Sequence, residues 1–282
     1  MACDNFVPDV WSARILKTLQ KSLVAGSIVN TDYEGDITQA GDTVKINSVG
    51  APTVASYVKN STSISPEELS DAQTKLEIDT AQYYAFKVDD VDKAQQLPGV
   101  MDEAMRQAAY ALKDEADQDI LELYGDAGVT SALGTTAVPI DITSVNILAT
   151  LNKVARKLDD VNVPRDGRWM IIPPWLNERL VLSKVMVDNS KTNDTYANGF
   201  VGRVAGFDLR MSNNVYNSAS KFKILAGVKR AISFAGQITS TEAYRPEASF
   251  SDAVKGLYVY GCKVVYPACL ACLTATEGTE PT

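Results

Sequence analysis

The longest run of apolar positions at helical spacing lies over residues 98–125, PGVMDEAMRQAAYALKDEADQDILELYG. Met101, Met105, Ala108, Leu112, Ala116, Ile120 and Leu123 recur in steps of three and four, which places them on one stripe. Pro98 suits a helix start and Gly125 suits a left-handed closing residue. Asp102 and Glu103 stand near the positive end of the helix dipole. About 26 residues at about 1.5 Å each predict a rod of roughly 40 Å, long enough to be a structural spine. Tyr110 and Leu121 fall roughly opposite the stripe, among Arg106, Lys113, Asp114 and Asp117. They read either as ordinary scattered surface hydrophobes or as a second contact face, met by another arm or subunit.

Around this helix the pattern changes several times. Trp11, Ile15, Leu19 and Leu23 predict an amphipathic helix over 7–24, opened by Pro8 and closed by Gly26. Residues 43–89 read as a long two-stranded excursion: 43–47 and 53–59 lead out, and 74–88 returns. On the return, Leu76, Ile78, Tyr84, Phe86 and Val88 take one parity and Lys75, Glu77, Asp79 and Lys87 the other. A ribbon of two strands is marginal alone in water, so it is expected to lie on something. Beyond the spine, Asp141 or Thr143 is the expected cap of a helix carrying Val145, Leu148, Leu151, Val154, Ala155 and Leu158. NVPRDG at 162–167 reads as a turn, 169–172 as a short apolar strand, and Trp175 as the opening of a further helix through Leu176 and Leu180. From Phe222 onward the chain is strand-rich, ending in a polar tail over 274–282 that is expected to fray.

Composition narrows the chemistry. The chain has 282 residues, 27 basic and 35 acidic side chains and no histidine. Without histidine there is no Ser-His-Asp or Cys-His site and no His-based zinc site. The net charge of -8 disfavours gripping nucleic acid by its phosphates. No run approaches the about 18 apolar residues of a membrane span, and the N-terminus lacks the build of a secretory signal, so the cytoplasm is the default compartment. Cys269 and Cys272 form a C-x-x-C within KVVYPACLACLTAT, which reads as a strand, so they are expected to be buried small hydrophobes. The polar stretch 188–198 resembles a calcium loop only faintly, since Asn193 stands where glycine is needed. Gly199, Gly202 and Gly206 read as a turn between strands rather than a nucleotide cradle, and Asp89, Asp90 and Asp92 as a solvated turn in preference to a divalent-ion site. No catalytic, cofactor-binding or metal residue is nominated.

Several segments carry a resemblance to a known family. FVPDVWSARILKTLQKSLV followed by GDTVKI, then RWMIIPPWLNERL, GFVGRVAGFDLRMSNNV and AISFAGQITSTEAYRPEASFSDAVKGLYVYGCKVVYPACLACL, resemble major capsid proteins of tailed bacteriophages with the HK97-like fold. The resemblance implies an α+β fold. Its parts would be an N-terminal arm (1–35), an E-loop with flanking strands (36–95), a P domain with the spine helix (96–140), an A domain (141–228) and return strands of the P domain (229–282). It implies a structural protein rather than an enzyme, acting in the virion as pentamers and hexamers of itself and assembled in the host cytoplasm. It further implies a separate scaffolding protein, a portal, a decoration protein as a further candidate partner, and double-stranded DNA enclosed without specific binding. No membrane partner is implied. An encapsulin-type shell around protein cargo and an enzyme of unknown type are the competing readings.

Overall fold

The computed structural model describes residues 25–32, 43–49, 71–89, 100–183, 200–246 and 251–280, with positions 54, 56 and 59 beside them. The expected helix over 7–24 and the polar stretch 188–198 lie outside the described residues. In chain order, β1 is Thr43–Val49, β2 Asp71–Glu77, β3 Thr80–Asp89 and α1 Val100–Glu122. Next come β4 (Ile140–Ile142), α2 (Ile147–Asp160), β5 (Arg168–Ile172) and α3 (Pro174–Leu182). The rest is strand: β6 (Phe200–Val204), β7 (Phe207–Met211), β8 (Asn217–Ser218), β9 (Lys221–Val228), β10 (Ile232–Tyr244), β11 (Ser251–Val264) and β12 (Leu270–Glu277). The fold is α+β.

β3, β10 and β11 form an antiparallel sheet in the order β10-β11-β3. Strand parity divides its side chains between two layers. Phe234, Val254, Tyr258 and Tyr260 join the main core together with Met105, Ala109 and Leu112 of α1. Ala235 and Val259 point the other way, into a second cluster with Ile46, Leu76 and Ile78 of the β1–β2 ribbon. The ribbon therefore lies on the chain's own sheet. Burying each of Ile46, Leu76, Ile78 and Val259 contributes about 1.5–3 kcal/mol, which is what a two-stranded unit lacks by itself.

The return stretch is not one strand. β2 pairs with β1, whereas β3 pairs with β11, and only Ile78 and Asp79 carry the chain from one layer to the next. The alternation holds across this break: Leu76 and Ile78 are buried, Tyr84 and Phe86 half-buried, and Lys75, Glu77, Asp79 and Lys87 exposed. Such a tight crossing requires the layers to touch. A Cβ on Gly261 would lie 2.2 Å from the Glu77 carbonyl oxygen, so only glycine fits beneath the crossing. On the opposite face, Gly256 stands across from Tyr84 in register, and its bare Cα leaves room for the Tyr84 ring.

The second sheet has seven strands, β4-β12-β9-β5-β7-β6, with β8 paired to β9. β5 is buried along its whole length, as expected of a central strand covered on both sides. β12 leaves the company of β11 to pair with β9 and β4, so the last strand of the 229–282 stretch belongs to this sheet. Pro267 makes the break. β11 ends at Val264 and a short 3-10 turn, Pro267–Cys269, precedes β12, so KVVYPACLACLTAT is two strands rather than one.

Other expectations shift locally. α1 does not close on a left-handed Gly125. It tightens into a 3-10 turn, Leu123–Asp126, and leaves through extended Ala127. Asp141 lies in β4 and Thr143 precedes the helix, so neither caps α2. Its N-cap is Asn146, whose side-chain oxygen accepts from the Thr143 N–H at 2.9 Å. The buried stripe of α2 is Ile147, Thr150, Leu151, Val154 and Leu158, leaving Val145 and Leu148 exposed. The turn at 162–167 and the helix opened by Pro174 and Trp175 stand where the pattern puts them, but of the three glycines read as a turn only Gly206 is in one: Gly202 lies within β6, and Gly199 is outside the described residues. At the β6–β7 turn, Ala205 (φ 51°) and Gly206 (φ 85°) both take left-handed backbone, as a two-residue hairpin demands.

Two glycines separate the effects of contact and conformation. Gly261→Ala is expected to destabilise the chain by about 1–3 kcal/mol through overpacking, read from urea unfolding. Gly125→Ala, with nothing within 4 Å of the added Cβ, should be neutral or stabilising by up to about 1 kcal/mol.

Candidate assembly surface on the long helix

The exposed face of α1 is the strongest candidate surface, and its limits are set by the chain itself. At about 100° per residue, Tyr110, Asp117 and Leu121 share one flank. Tyr110 is 63% exposed, with the Lys113 ammonium 5.2 Å from its ring centroid. Asp117 and Leu121, by contrast, are each 2% exposed. Of the two readings of this flank, the Leu121 end is a second contact face rather than scattered surface, and what covers it is residues 25–29 of the same chain. The Ala25 N–H donates to Asp117 Oδ1 at 3.1 Å, and Ala25, Ile28 and Val29 are buried in the same core as Leu121. The same segment then joins the three-stranded sheet: the Asn30 N–H donates to the Ile232 carbonyl at 2.8 Å, and the Phe234 N–H to the Asn30 carbonyl at 2.9 Å.

A second polar link ties α1 to the sheet. The Tyr260 hydroxyl donates to the Asp119 carboxylate. Burial first, then that carboxylate, pushes the Tyr260 pKa upward, so the phenol stays a donor at any ordinary pH. Cys262, also on β11, is pushed up to about 12 by burial and by Asp119 and Asp79. Cys269 and Cys272 are raised chiefly by burial. An activated nucleophile needs the opposite shift. The C-x-x-C is divided between the short turn (Cys269) and β12 (Cys272), and neither sulfur is in a disulfide among the described residues. Asp89 ends β3, while Asp90, Asp92 and Cys3 lie outside the described residues. Among the described residues no group of three or more acidic, cysteine or histidine side chains is placed to hold a metal, and no helix is long and apolar enough to cross a membrane.

The end of the described chain is pinned rather than frayed. Thr274 is buried in β12, and Arg179 of α3 donates to Glu280 at 2.5 Å and to Glu277 at 3.0 Å. Glu280 also accepts from the Ser144 hydroxyl at 2.6 Å and the Ser144 N–H at 3.0 Å. The Ser144 hydroxyl first, with help from the Ser144 N–H and Arg179, holds the Glu280 carboxyl below the ordinary carboxylate range. Sequence reasoning missed these anchors because they join residues 98 to 136 positions apart.

A spine helix lying on a sheet, with an extended ribbon on the opposite face, can be compared with known proteins. The sequence profile of the phage capsid protein family matches residues 71–273. The chain belongs to that family. As a phage capsid protein it is similar to a chain in a structure of Mycobacterium phage Che8, with 26% identity and a TM-score of 0.71 over 96% of this chain and 98% of that one. It is also similar to the capsid structure of cyanophage P-SCSP1u, with 19% identity and a TM-score of 0.67 over 89% and 86% of the two chains. A virus-like particle from Pyrococcus furiosus shares the fold at 11% identity, with a TM-score of 0.57 over 96% and 99%. No curated protein matches the chain in sequence. This phage capsid protein has the HK97-like fold.

Two outcomes test the anchors. Asp117→Ala leaves the Ala25 N–H without this partner and should cost about 1–3 kcal/mol, with faster hydrogen exchange at the amides of Asn30 and Phe234. For Glu280 the pH dependence has a definite sign. A lowered pKa adds stability above the ordinary carboxylate value of about 4.3, and that stability is lost as pH falls through the lowered value. The difference in thermal midpoint between the wild type and Glu280→Gln should therefore be present at pH 7 and close in acid; a gap that persists unchanged in acid contradicts the assignment.

Proposed function

We propose that many copies of this chain, arranged as pentamers and hexamers, close the icosahedral head shell of a tailed bacteriophage around double-stranded DNA. The observation that carries this reading is the family match across 71–273, and the similarity to Che8 over nearly the full length of both chains supports it. The work is mechanical. Obligate interfaces of about 2,000 Å² or more per contact hold such assemblies, so the subunit needs rigid layers and surfaces left for its neighbours. The sheet covered on both faces supplies the rigidity. The bare part of the α1 flank, at Tyr110, is one surface left for another copy. In this reading the chain before Ala25 and the segment between β1 and β2 reach across to neighbours, while residues 25–30 stay on their own helix and sheet, and a scaffolding protein and a portal act as separate partners. A net charge of -8 suits a container whose contents must leave without adhering.

A shell around protein cargo would use the same fold, and the likeness to the Pyrococcus particle, at 11% identity, speaks for the fold alone. Particles isolated from producing bacteria are expected to contain DNA; particles filled with a single co-purifying enzyme would overturn the reading. Tyr110→Ala should leave the unfolding midpoint nearly unchanged while shifting sedimentation from particles toward free subunits. Leu121→Asp, placed in the core, should abolish folding instead.

A further inference from the structure

α2, the turn after it, the start of β5 and the β6–β7 hairpin border an open pocket of about 420 Å³. Four arginines line it, Arg156, Arg165, Arg168 and Arg203, against one aspartate, Asp159. The lining thus holds a surplus of three positive charges in a chain whose net charge is -8. We propose that this pocket binds a phosphoryl oxyanion with several anionic oxygens, either free or carried on a nucleic-acid backbone.

The arginines divide into those that build the pocket and those free to bind. Arg168 is 3% exposed, and its guanidinium is used by the fold. It donates to the carbonyls of Pro164 (2.9 Å), Val163 (2.5 Å) and Ala155 (3.4 Å) and to Asp159 Oδ1 (2.7 Å). Asp159 is shared. Arg165 donates to it through Nε at 3.3 Å and Nη2 at 2.8 Å, and the two guanidiniums hold its carboxyl below the ordinary range. One carboxylate between two guanidiniums leaves a positive charge over, and the Arg165 side chain, 80% exposed, has its Nη1 uncommitted among the described residues. Arg203 meets Asp208 only at 3.7 Å, beyond hydrogen-bond reach. Arg156 makes no hydrogen bond or ion pair among the described residues. Three guanidiniums with donors to spare thus sit around one cavity, braced by a fourth.

The size of the pocket and the number of free donors select the ligand class. A carboxylate engages one guanidinium fork in a bidentate pair, whereas a phosphoryl group offers more oxygens to the same planar donors. Cavities that hold small ligands begin at about 300 Å³, so this one has room for two linked phosphoryl groups or a short length of phosphodiester. The site lies within one copy, so it stands whether or not the copies close a shell.

Pyrophosphate is the direct probe. Calorimetric titration of the purified protein should show saturable binding beyond that of chloride at equal ionic strength. Arg156→Gln and Arg203→Gln, which touch none of the bonds made by Arg168, should each weaken it about tenfold, and the double variant should abolish it while keeping the wild-type melting midpoint. Arg156→Lys, retaining charge without the fork, should fall between. If the wild type responds no more than to chloride, or the double variant binds as the wild type does, the assignment is wrong. A short DNA duplex, titrated in the same way, identifies the source: binding lost in the double variant points to a nucleic-acid backbone, and pyrophosphate binding without duplex binding points to a free oxyanion.

Discussion

Along β11, Val254, Tyr258 and Tyr260 face α1, while Val259 faces the β1–β2 ribbon, and the rest of the subunit depends on that division. A sheet of three strands has two faces to bury. With α1 on one side and the ribbon on the other, both are closed, and each covering unit gains the support it lacks alone. The two coverings are fixed differently. α1 is held by packing and by the Tyr260–Asp119 hydrogen bond, whereas the ribbon is held by a small apolar cluster and by the tight crossing over Gly261. Removing either layer would leave an apolar sheet face in water.

The same constraint decides which part of α1 remains for other contacts. Residues 25–29 close one end of its flank over Asp117 and Leu121, and the segment then runs into β10, so the chain behind the N-terminal region is fastened to helix and sheet together. What stays open is the stretch around Tyr110. A shell subunit has to be complete enough to fold and incomplete enough to need neighbours. On the proposed function, the boundary between those two demands falls within a single helix.

Much of this was legible along the chain, and the failures share a cause. The stripe of α1 and the alternation of 74–88 are local periodicities, so burial at Leu112, Ala116, Leu76 and Ile78 followed from spacing. Parity says which face a side chain takes but not which sheet its strand joins, so the passage from β2 to β3 at Ile78 and Asp79 left no mark in the alternation. Spacing could not choose between an open and a covered flank at Asp117 and Leu121, because their cover comes from residues about ninety positions earlier. Asn146 displaced Asp141 and Thr143 as the cap because β4 claimed Ile140–Ile142 to pair with β12. The fraying tail was a reading of composition that Arg179 and Ser144 overturned. The arginines of the pocket, drawn from a helix, a turn, a strand start and a hairpin, were too dispersed to announce a site. The family resemblance supplied what periodicity could not: the fold class and the use to which the subunit is put.

The central claim is that copies of this subunit close a shell by covering surfaces the folded chain leaves bare. Cryo-electron microscopy of the purified protein, alone and co-expressed with a candidate scaffolding protein, tests it directly. The account predicts closed particles of uniform diameter in which the Tyr110 flank of α1 is covered by a neighbouring copy. Small discrete oligomers under both conditions, or closed particles that leave this flank open to solvent, would contradict it.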